Sequence, residues 1–339
     1  MWRIAFLPSA GPDIGLGHVS RCLALARAAA AQGGEPVFVI GDARAATLLG
    51  ASGMTVVSAP WPSEAAAARD ALRALSAETI VVDSYAATAD FLASLRAITA
   101  DVVVVDDLAD RSLPVHVVVN GGLGAEHLPY RRTPGTHWLL GPRYAPLDAS
   151  FAEEVARDYV ARPGRVFVGL GGGPHLEATL AALAAVEAAL PGCTVDVIAG
   201  ALSADADALQ TRARATGGGL TVHRQRVGLR DLMLAADVAV TGAGVTLHEL
   251  AATATPAVVV RMADNQAPNA EAAAREGVAL VAGGAREPGL RERIESALRR
   301  LSADPALRAT LGRRGRNLVD GQGAWRVIGT LTRALAERR

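Results

Sequence analysis

The sequence contains no lysine: all 34 of its basic residues are arginines. Mechanisms that need a lysine amine, such as Schiff-base chemistry or a lysine clamp on phosphate, are therefore excluded. Basic and acidic residues balance to zero net charge, and aromatic residues make up only 4% of the chain. Because nucleic acids bind basic surfaces with interleaved aromatic residues, a nucleic-acid partner is not expected.

Cysteine is scarce, and long apolar runs are missing. Cys22 and Cys193 show no C-x-x-C spacing and are predicted to be buried thiols. No apolar run reaches the ~18 residues that span a bilayer, and the N-terminus lacks the pattern of a signal peptide. We expect a cytoplasmic, soluble monomer or homodimer without a membrane span.

Short apolar runs alternate with helical patterns along all 339 residues, which is the rhythm of parallel β-α-β units. The length predicts two domains: residues 1–142 and 164–322, with a linker at 143–163 and a C-terminal helix at 323–339. The segment 141–164 is the candidate hinge between them. The predicted fold is α/β, with two Rossmann-like domains that face an interdomain cleft, and the cleft is the expected active site. Predicted strands are 2–8, 36–40, 54–58, 79–82, 101–105, 115–119, 165–170, 194–199, 220–223, 238–241, 257–260 and 279–282.

His18 follows Gly15 and Gly17 where the first strand gives way to a helix predicted over 19–32. Glycines permit a tight turn near a ligand, and a helix N-terminus at this edge of a sheet favours anions such as diphosphate. The helix dipole disfavours imidazolium, so His18 is a candidate neutral general base. One alternative is a histidine that caps the helix. A dinucleotide site is another, although the spacing does not fit G-x-G-x-x-G.

Gly171, Gly172 and Gly173 form a second turn after a strand, where backbone amides could bind phosphate and Pro174 could occupy the first turn of a helix. The alternative is a tight turn without a ligand.

A third turn contains Gly242 and Gly244 and leads into a helix that begins near Val245 and Thr246. Thr246 could donate to a diphosphate, and Glu249 could accept hydrogen bonds from ribose hydroxyls. Alternatively, Thr246 and Glu249 form a capping box. The neighbouring His248 is predicted to be a packing residue.

Further polar residues follow predicted strands. Asn265 and Gln266 offer amides for a sugar or phosphate, although Asp264 could instead cap a helix. Asp83 and Tyr85 follow a strand in the first half of the chain, and Tyr85 could present its hydroxyl to the cleft. Asp106 and Asp107 follow the next strand; a metal pair is conceivable there, but structural hydrogen bonds are favoured.

Taken together, these motifs resemble the UDP-sugar hydrolases of pseudaminic acid biosynthesis and their spore-coat polysaccharide relatives. Those hydrolases remove UDP from UDP-2,4-diacetamido-2,4,6-trideoxy-β-L-altrose. The resemblance lies in residues 14–18 with 21–26, and in 82–85, 105–111, 140–147, 242–249 and 265–266.

The resemblance implies the GT-B fold of nucleotide-sugar glycosyltransferases, with the nucleotide held mainly by the second domain and with no metal or cofactor. It implies that His18 activates water, that Tyr85 and Asn265 lie near the sugar, and that Glu249 binds the ribose. The loop 226–229, including Val227, would hold the base. Gly15, Gly17, Arg21, Asp83 and Gln266 are assigned to substrate binding. The nucleotide and phosphate site would comprise Gly171, Gly172, Gly173, Val227, Gly242, Gly244, Val245, Thr246 and Glu249.

The chain also departs from that family. The family commonly has histidine at the position of Ser84, an aspartate where Pro174 stands, and an arginine near Asp148. These departures place the identity of the sugar in doubt.

The leading hypothesis is therefore a metal-independent, inverting hydrolase of a UDP-(amino-deoxy)sugar. The alternatives are a glycosyltransferase that uses a UDP- or TDP-sugar, and a non-catalytic nucleotide-sugar binding protein. Hydrolase and transferase share nearly every predicted residue, because they differ only in whether His18 deprotonates water or an acceptor hydroxyl.

Overall fold

The computed structural model describes residues 2–11, 14–99, 101–200, 205–224 and 228–336. The chain forms two compact units: unit 1 comprises Met1–Ala149 and Gly321–Arg339, and unit 2 comprises Ser150–Asp320. The segment 143–163 is thus divided between the units. Among the described residues, no helix is both long and apolar enough to cross a bilayer.

The described strands of unit 1 form a parallel seven-stranded sheet in the order β3-β2-β1-β4-β5-β6-β7. They are β1 (Trp2–Pro8), β2 (Gly34–Ile40), β3 (Thr55–Ser58), β4 (Thr79–Asp83), β5 (Asp101–Val105), β6 (Val117–Asn120) and β7 (His137–Leu140). The helices are α1 (Gly17–Ala31), α2 (Ala43–Ala51), α3 (Ala65–Leu75), α4 (Ala89–Leu95) and, at the end of the chain, α12 (Gly323–Ala336).

Strand β7 is absent from the sequence prediction. It has only four residues, follows the turn formers Pro134 and Gly135, and contains no β-branched residue. Its pairing with β6 therefore supplies what local propensity does not.

Unit 2 holds a parallel six-stranded sheet in the order β10-β9-β8-β11-β12-β13. Its described strands are β8 (Arg165–Gly169), β9 (Thr194–Ala199), β10 (Leu220–Arg224), β11 (Val238–Gly242), β12 (Ala257–Arg261) and β13 (Ala279–Gly284). The helices are α5 (Leu176–Ala189), α6 (Ala206–Ala215), α7 (Arg230–Ala235), α8 (Val245–Ala252), α9 (Ala267–Arg275), α10 (Leu290–Ala303) and α11 (Pro305–Leu318).

The central strands of both sheets are buried on both faces, which explains their unbroken apolar runs. In β5, four consecutive valines are buried, and β4 is buried along its whole length. The strand order reverses between β1 and β4 in unit 1, and between β8 and β11 in unit 2. In sheets of this kind, ligands bind beyond the carboxyl ends of the strands at that reversal. The same places carry the candidate site residues.

The last helix, α12, belongs to unit 1. Val327, Ile328 and Leu331 share a buried core with Val19 and Leu25 of α1. At Gly323, a Cβ atom would lie 2.1 Å from the carbonyl oxygen of Ala145, so only glycine fits this close approach. The surface that the apolar face of this helix requires is therefore α1 and its neighbours.

The second half of the segment 141–164 is fixed to unit 2 by arginines. Arg157 donates to the carbonyl oxygens of Met233, Ala236 and Thr253, and Arg316 donates to that of Phe151. Residues 151–157 are thus bound to the rest of unit 2, and the hinge within 141–164 stays a prediction.

The cysteines differ in burial. Cys22 in α1 is buried, as predicted, whereas Cys193, just before β9, is partly exposed. The prediction of two buried thiols therefore holds for Cys22 alone.

Candidate active site

His18 is the second residue of α1 and is 4% exposed. The turn before it closes with a hydrogen bond from the Gly15 amide to the Gly11 carbonyl, and Gly15 has a φ of 76° that favours glycine. The helix begins two residues earlier than predicted, with Leu16 as its N-cap and without a side-chain cap bond. His18 is thus inside the first helical turn and does not cap it. At Gly17, an added Cβ would meet no described atom within 4 Å, so a ligand-binding reason for this glycine stays a prediction.

The imidazole of His18 is bound to Asp83, the last residue of β4. Nδ1 of His18 lies 2.5 Å from Oδ1 of Asp83, whose side chain is fully buried. An ionised carboxylate can only accept, so Nδ1 carries the proton and donates it. In neutral His18 the lone pair is therefore on Nε2, the far end of the ring. A carboxylate that orients a histidine in this way is a typical arrangement for a general base.

Arg21 lies one turn further along α1 and binds the same carboxylate. Its Nε donates to Oδ2 of Asp83 at 3.0 Å, and its Nη2 donates to Oδ1 at 2.8 Å. Its Nη1 donates to Oδ2 of Asp107 at 2.9 Å. Each guanidinium nitrogen of Arg21 thus donates to a carboxylate of the protein, and the assignment of Arg21 to substrate binding stays a prediction.

These contacts set the ionisation of the cluster. Burial alone would raise the pKa of Asp83, but the charge of Arg21 and the hydrogen bonds from Arg21 and His18 outweigh it and hold the pKa below its usual value. Burial likewise opposes the charged form of Arg21, yet Asp83 and Asp107 raise its pKa well above the usual value. Both shifts favour the charged forms of Asp83 and Arg21.

Tyr85 covers one side of His18. Its ring meets the imidazole edge to face, with the ring centres 4.7 Å apart, and the residue is 42% exposed. Burial of its hydroxyl, the charge of Asp107 and a hydrogen bond to that carboxylate raise the pKa of Tyr85. The neutral phenol form of Tyr85 is therefore favoured, and its partly exposed ring lies beside His18.

The neighbouring polar residues Ser84 and Asp106 bind other groups of the protein. Ser84, where the resembling family has histidine, is buried and accepts from Ser9 Oγ at 2.5 Å. Oδ2 of Asp106 accepts from the amide of Ala109, while its Oδ1 forms an ion pair with Arg111. Within the part of the chain that the structure describes, no three His, Cys, Asp or Glu side chains are grouped as metal ligands.

In unit 2, the turn after β8 contains Gly171, Gly172 and Gly173. Gly171 has a φ of 117°, which requires glycine. The helix α5 begins at Leu176 with His175 as its N-cap, and the amide of His175 donates to Asp205. Pro174 therefore precedes the helix, and the prediction that it lies in the first helical turn is wrong.

The turn after β11 contains Gly242 and Gly244 and leads into α8. Gly244 is the N-cap, and Val245 and Thr246 are the first two helical residues. Thr246 is not the N-cap, so the capping-box alternative for Thr246 and Glu249 is wrong. Both side chains are half-buried at the start of the helix.

Gln266 fixes this turn in place. Its Oε1 accepts from the amides of Ala243 and Met262, each at 3.1 Å, and Asn269 donates to the carbonyl of Ala243. Oε1 of Gln266 thus supports the loop, and the assignment of Gln266 to substrate binding stays a prediction. Asn269 was missed by the sequence analysis, although it lies three residues after Gln266 on adjoining helical turns.

The structure near this turn also tests the predictions for Asp264 and His248. The N-cap of the short 3-10 helix Asp264–Gln266 is Ala263, and that of α9 is Gln266, so Asp264 caps neither helix. Buried His248 places Nδ1 3.2 Å from the carbonyl of Gly244, as expected for a packing residue. Val227, predicted to contact the base, lies outside the described residues.

The site residues thus form two groups, one in each unit. Unit 1 brings together Gly15, Gly17, His18, Arg21, Asp83 and Tyr85. In unit 2, Thr241 Oγ1 donates to Gly169 and links the two glycine turns, beside which Asn265 and Gln266 lie. The missing signal for the Asp83 cluster was helical spacing: His18 and Arg21 are three residues apart and so share a face.

No protein-family model and no curated protein matches the chain. Solved structures do match it. MurG of Acinetobacter baumannii is 14% identical with a TM-score of 0.65, covering 98% of this chain and 100% of that chain. The calicheamicin glycosyltransferase CalG4 is 17% identical with a TM-score of 0.64, covering 99% and 98%. Phytolacca americana UGT2, complexed with UDP-2fluoro-glucose and pterostilbene, is 12% identical with a TM-score of 0.63, covering 95% and 94%.

These similarities show the fold. The chain has two parallel-sheet α/β units with Rossmann-like strand order, and it shares the GT-B fold of glycosyltransferases over nearly its whole length. The predicted fold class is confirmed.

Proposed function

We propose that the chain transfers a sugar from a nucleoside diphosphate donor to an acceptor hydroxyl, with His18 as the general base. The observation that carries this proposal is the buried His18–Asp83 pair at the strand-order reversal of unit 1. Similar solved structures support it, because three of them, CalG4, the glycotransferase of kitacinnamycin and the spinosyn rhamnosyltransferase SpnG, are named as sugar transferases.

The proposed chemistry is an inverting displacement without a metal. Nε2 of His18 takes the proton of the acceptor hydroxyl while that oxygen bonds to C1 of the sugar. The bond from C1 to the diphosphate oxygen breaks, and the nucleoside diphosphate leaves with the electron pair. Asp83 stabilises the imidazolium that forms, because Nδ1 already donates to its carboxylate. Tyr85 and Asn265 are proposed to contact the sugar.

Unit 2 is proposed to hold the nucleotide. The start of α8, with Gly244, Val245 and Thr246, offers backbone amides and a hydroxyl to the diphosphate. Glu249 would accept from the ribose, and the loop with Val227 would contact the base. Gln266 would act by holding the turn at Ala243. The glycines Gly171, Gly172, Gly173 and Gly242 would permit the close approach of the phosphates.

Hydrolysis of a UDP-(amino-deoxy)sugar is the second candidate. It is favoured by the ordered motifs that resemble the pseudaminic acid hydrolases, above all residues 14–18 and 82–85. The same base would then deprotonate water. The solved structures favour transfer over hydrolysis, so transfer is placed first.

The test measures nucleotide release from a panel of UDP- and TDP-sugars in EDTA, with and without alcohol and phenol acceptors, and follows the products by NMR. Release that needs an acceptor and yields an inverted glycoside supports transfer. Release of free sugar without an acceptor supports the hydrolase. Tight binding of nucleotide sugar with no release under any condition overturns both, and leaves the binding protein. The same assay is run on His18→Ala, which lacks the proposed base. Its matched control is His223→Ala, which lacks a histidine of unit 2.

A further inference from the structure

Arg21 lies at the centre of the His18 cluster. Its Nη2 is 3.0 Å from Nδ1 of His18 as well as 2.8 Å from Oδ1 of Asp83. Nδ1 therefore has a carboxylate oxygen, which only accepts, and a guanidinium, which only donates, as neighbours. The 2.5 Å distance to Asp83 requires that Nδ1 donate to the carboxylate. Arg21 thus faces a protonated nitrogen and gives its own hydrogen bonds to Asp83.

The charges around His18 are few. Among the described residues, Arg21 on α1 and Asp83 at the end of β4 contact the imidazole through charged atoms, and Tyr85 contacts its ring. Asp107, after β5, reaches the cluster through Arg21 and Tyr85. A fully buried carboxylate such as Asp83 needs a positive partner. Arg21 supplies that charge, so His18 does not have to.

Geometry adds to charge. The Nε and Nη2 groups of Arg21 bind the two oxygens of Asp83 as a fork, which fixes the plane of the carboxylate. Nη1 binds Asp107 and fixes the guanidinium from its other side. Only arginine has the planar set of donors that can join both carboxylates in this way.

We propose that Arg21 is a positioning residue that keeps His18 neutral with its proton on Nδ1, by neutralising Asp83 and fixing its orientation. This inference rests on the proposed function insofar as His18 is the base, but the protonation state of His18 is measurable without turnover. If Arg21 is removed, His18 is the neighbour left to supply a positive charge to the buried carboxylate of Asp83, and an imidazolium has no lone pair on Nε2.

The experiment uses the full-length protein labelled with ¹⁵N-histidine, and measures the ring nitrogen shifts of His18 between pH 5.5 and 9. His18→Ala assigns the signals. In the unsubstituted protein we expect the neutral form with the proton on Nδ1. In Arg21→Gln we expect a larger share of the doubly protonated ring than in the unsubstituted protein at the same pH, and a corresponding loss of turnover.

Two further variants separate charge from shape. Arg21→Lys keeps the charge but not the fork, so His18 should stay neutral to lower pH than in Arg21→Gln while its tautomer becomes mixed. Asp107→Asn removes the outer anchor and leaves the Asp83 fork in place, so the Nδ1–H tautomer should persist. If circular dichroism shows that Arg21→Gln does not fold, Arg21→Lys and Asp107→Asn test the positioning role in its place.

Identical ¹⁵N shifts and pH dependence in the unsubstituted protein and Arg21→Gln would overturn the inference, as would an Nε2–H tautomer in the unsubstituted protein. If Arg21→Gln changes the protonation of His18 but no nucleotide sugar turns over, the proposed function fails and the positioning role stands. If turnover needs His18 but is indifferent to Arg21, the positioning role alone fails.

Discussion

Each unit contains an aspartate held between a histidine and an arginine. In unit 1 the three residues are Asp83, His18 and Arg21; in unit 2 they are Asp196, His223 and Arg165. Both aspartates are buried, and in both the charges and hydrogen bonds of the partners overcome burial and hold the pKa below its usual value. The residue types and the electrostatics are alike, so these alone do not identify an active site.

The difference lies in which nitrogen is bound and where. His18 uses Nδ1, and its far nitrogen, Nε2, points away from its own backbone. His223 uses Nε2 at 2.7 Å from Asp196, so the nitrogen left is Nδ1, next to its own backbone. Moreover, Asp83 ends a strand at the sheet reversal, whereas Asp196 lies inside β9. Under the proposed function, unit 1 thus supplies the base, whereas the Asp196 cluster of unit 2 is a structural ion pair.

The histidines provide the largest expected contrast. His18→Ala should lower turnover by about two to four orders of magnitude, since the proton acceptor is lost, with little change in nucleotide affinity. His223→Ala should leave turnover essentially unchanged. Initial rates of nucleotide release and calorimetric nucleotide binding measure both. An equal loss in the two variants would remove the distinction between the clusters.

Substitutions of the two aspartates should lower the unfolding free energy by different amounts. Asp83→Asn leaves Arg21, only 14% exposed, without its main partner, so it should cost about 3–5 kcal/mol of unfolding free energy. Asp196→Asn leaves Arg165, which is 42% exposed and keeps its hydration, so it should cost about 1–2 kcal/mol. Urea unfolding of both variants gives the order, and a reversed order would contradict the exposure argument.

The sequence was enough to predict much of this fold, because both sheets are parallel and their strands are continuous apolar runs. It also placed His18 and Asp83 at carboxyl ends of strands. It could not show that Nδ1, and not Nε2, binds Asp83, since that choice depends on side-chain orientation across 65 positions of sequence.

Other residues show why the contacts of a side chain were harder to predict than its position in the fold. Gln266 was placed at the right turn, but its Oε1 is used by two backbone amides that only the folded turn brings together. The ion pair of Asp196 could have been predicted from the sequence. It interrupts the buried run of β9, and a charge there demands a partner from neighbouring strands.

Acid pH should weaken both clusters. A carboxyl whose pKa is lower in the folded than in the unfolded protein stabilises the fold fully above an unfolded value of about 4, and loses that contribution as the pH falls through the folded value. Each unit of lowering contributes about 1.4 kcal/mol. Urea unfolding between pH 2.5 and 7 should show a smaller acid loss for Asp196→Asn than for the unsubstituted protein. An unchanged pH slope would mean that Asp196 titrates alike in both states.

The smallest expected change in unfolding free energy is that of an arginine substitution in unit 2. Arg165→Gln should cost less than about 1 kcal/mol, because an arginine that is 42% exposed exchanges its ion pair with Asp196 for water and His223 remains bound. Arg21→Gln removes a counter-charge that water cannot replace. Urea unfolding at pH 7 compares the two directly. If Arg165→Gln lowered the unfolding free energy as much as Arg21→Gln, burial of the arginine would not distinguish the two clusters. The remaining difference would be which histidine nitrogen binds the aspartate: Nδ1 in His18 and Nε2 in His223.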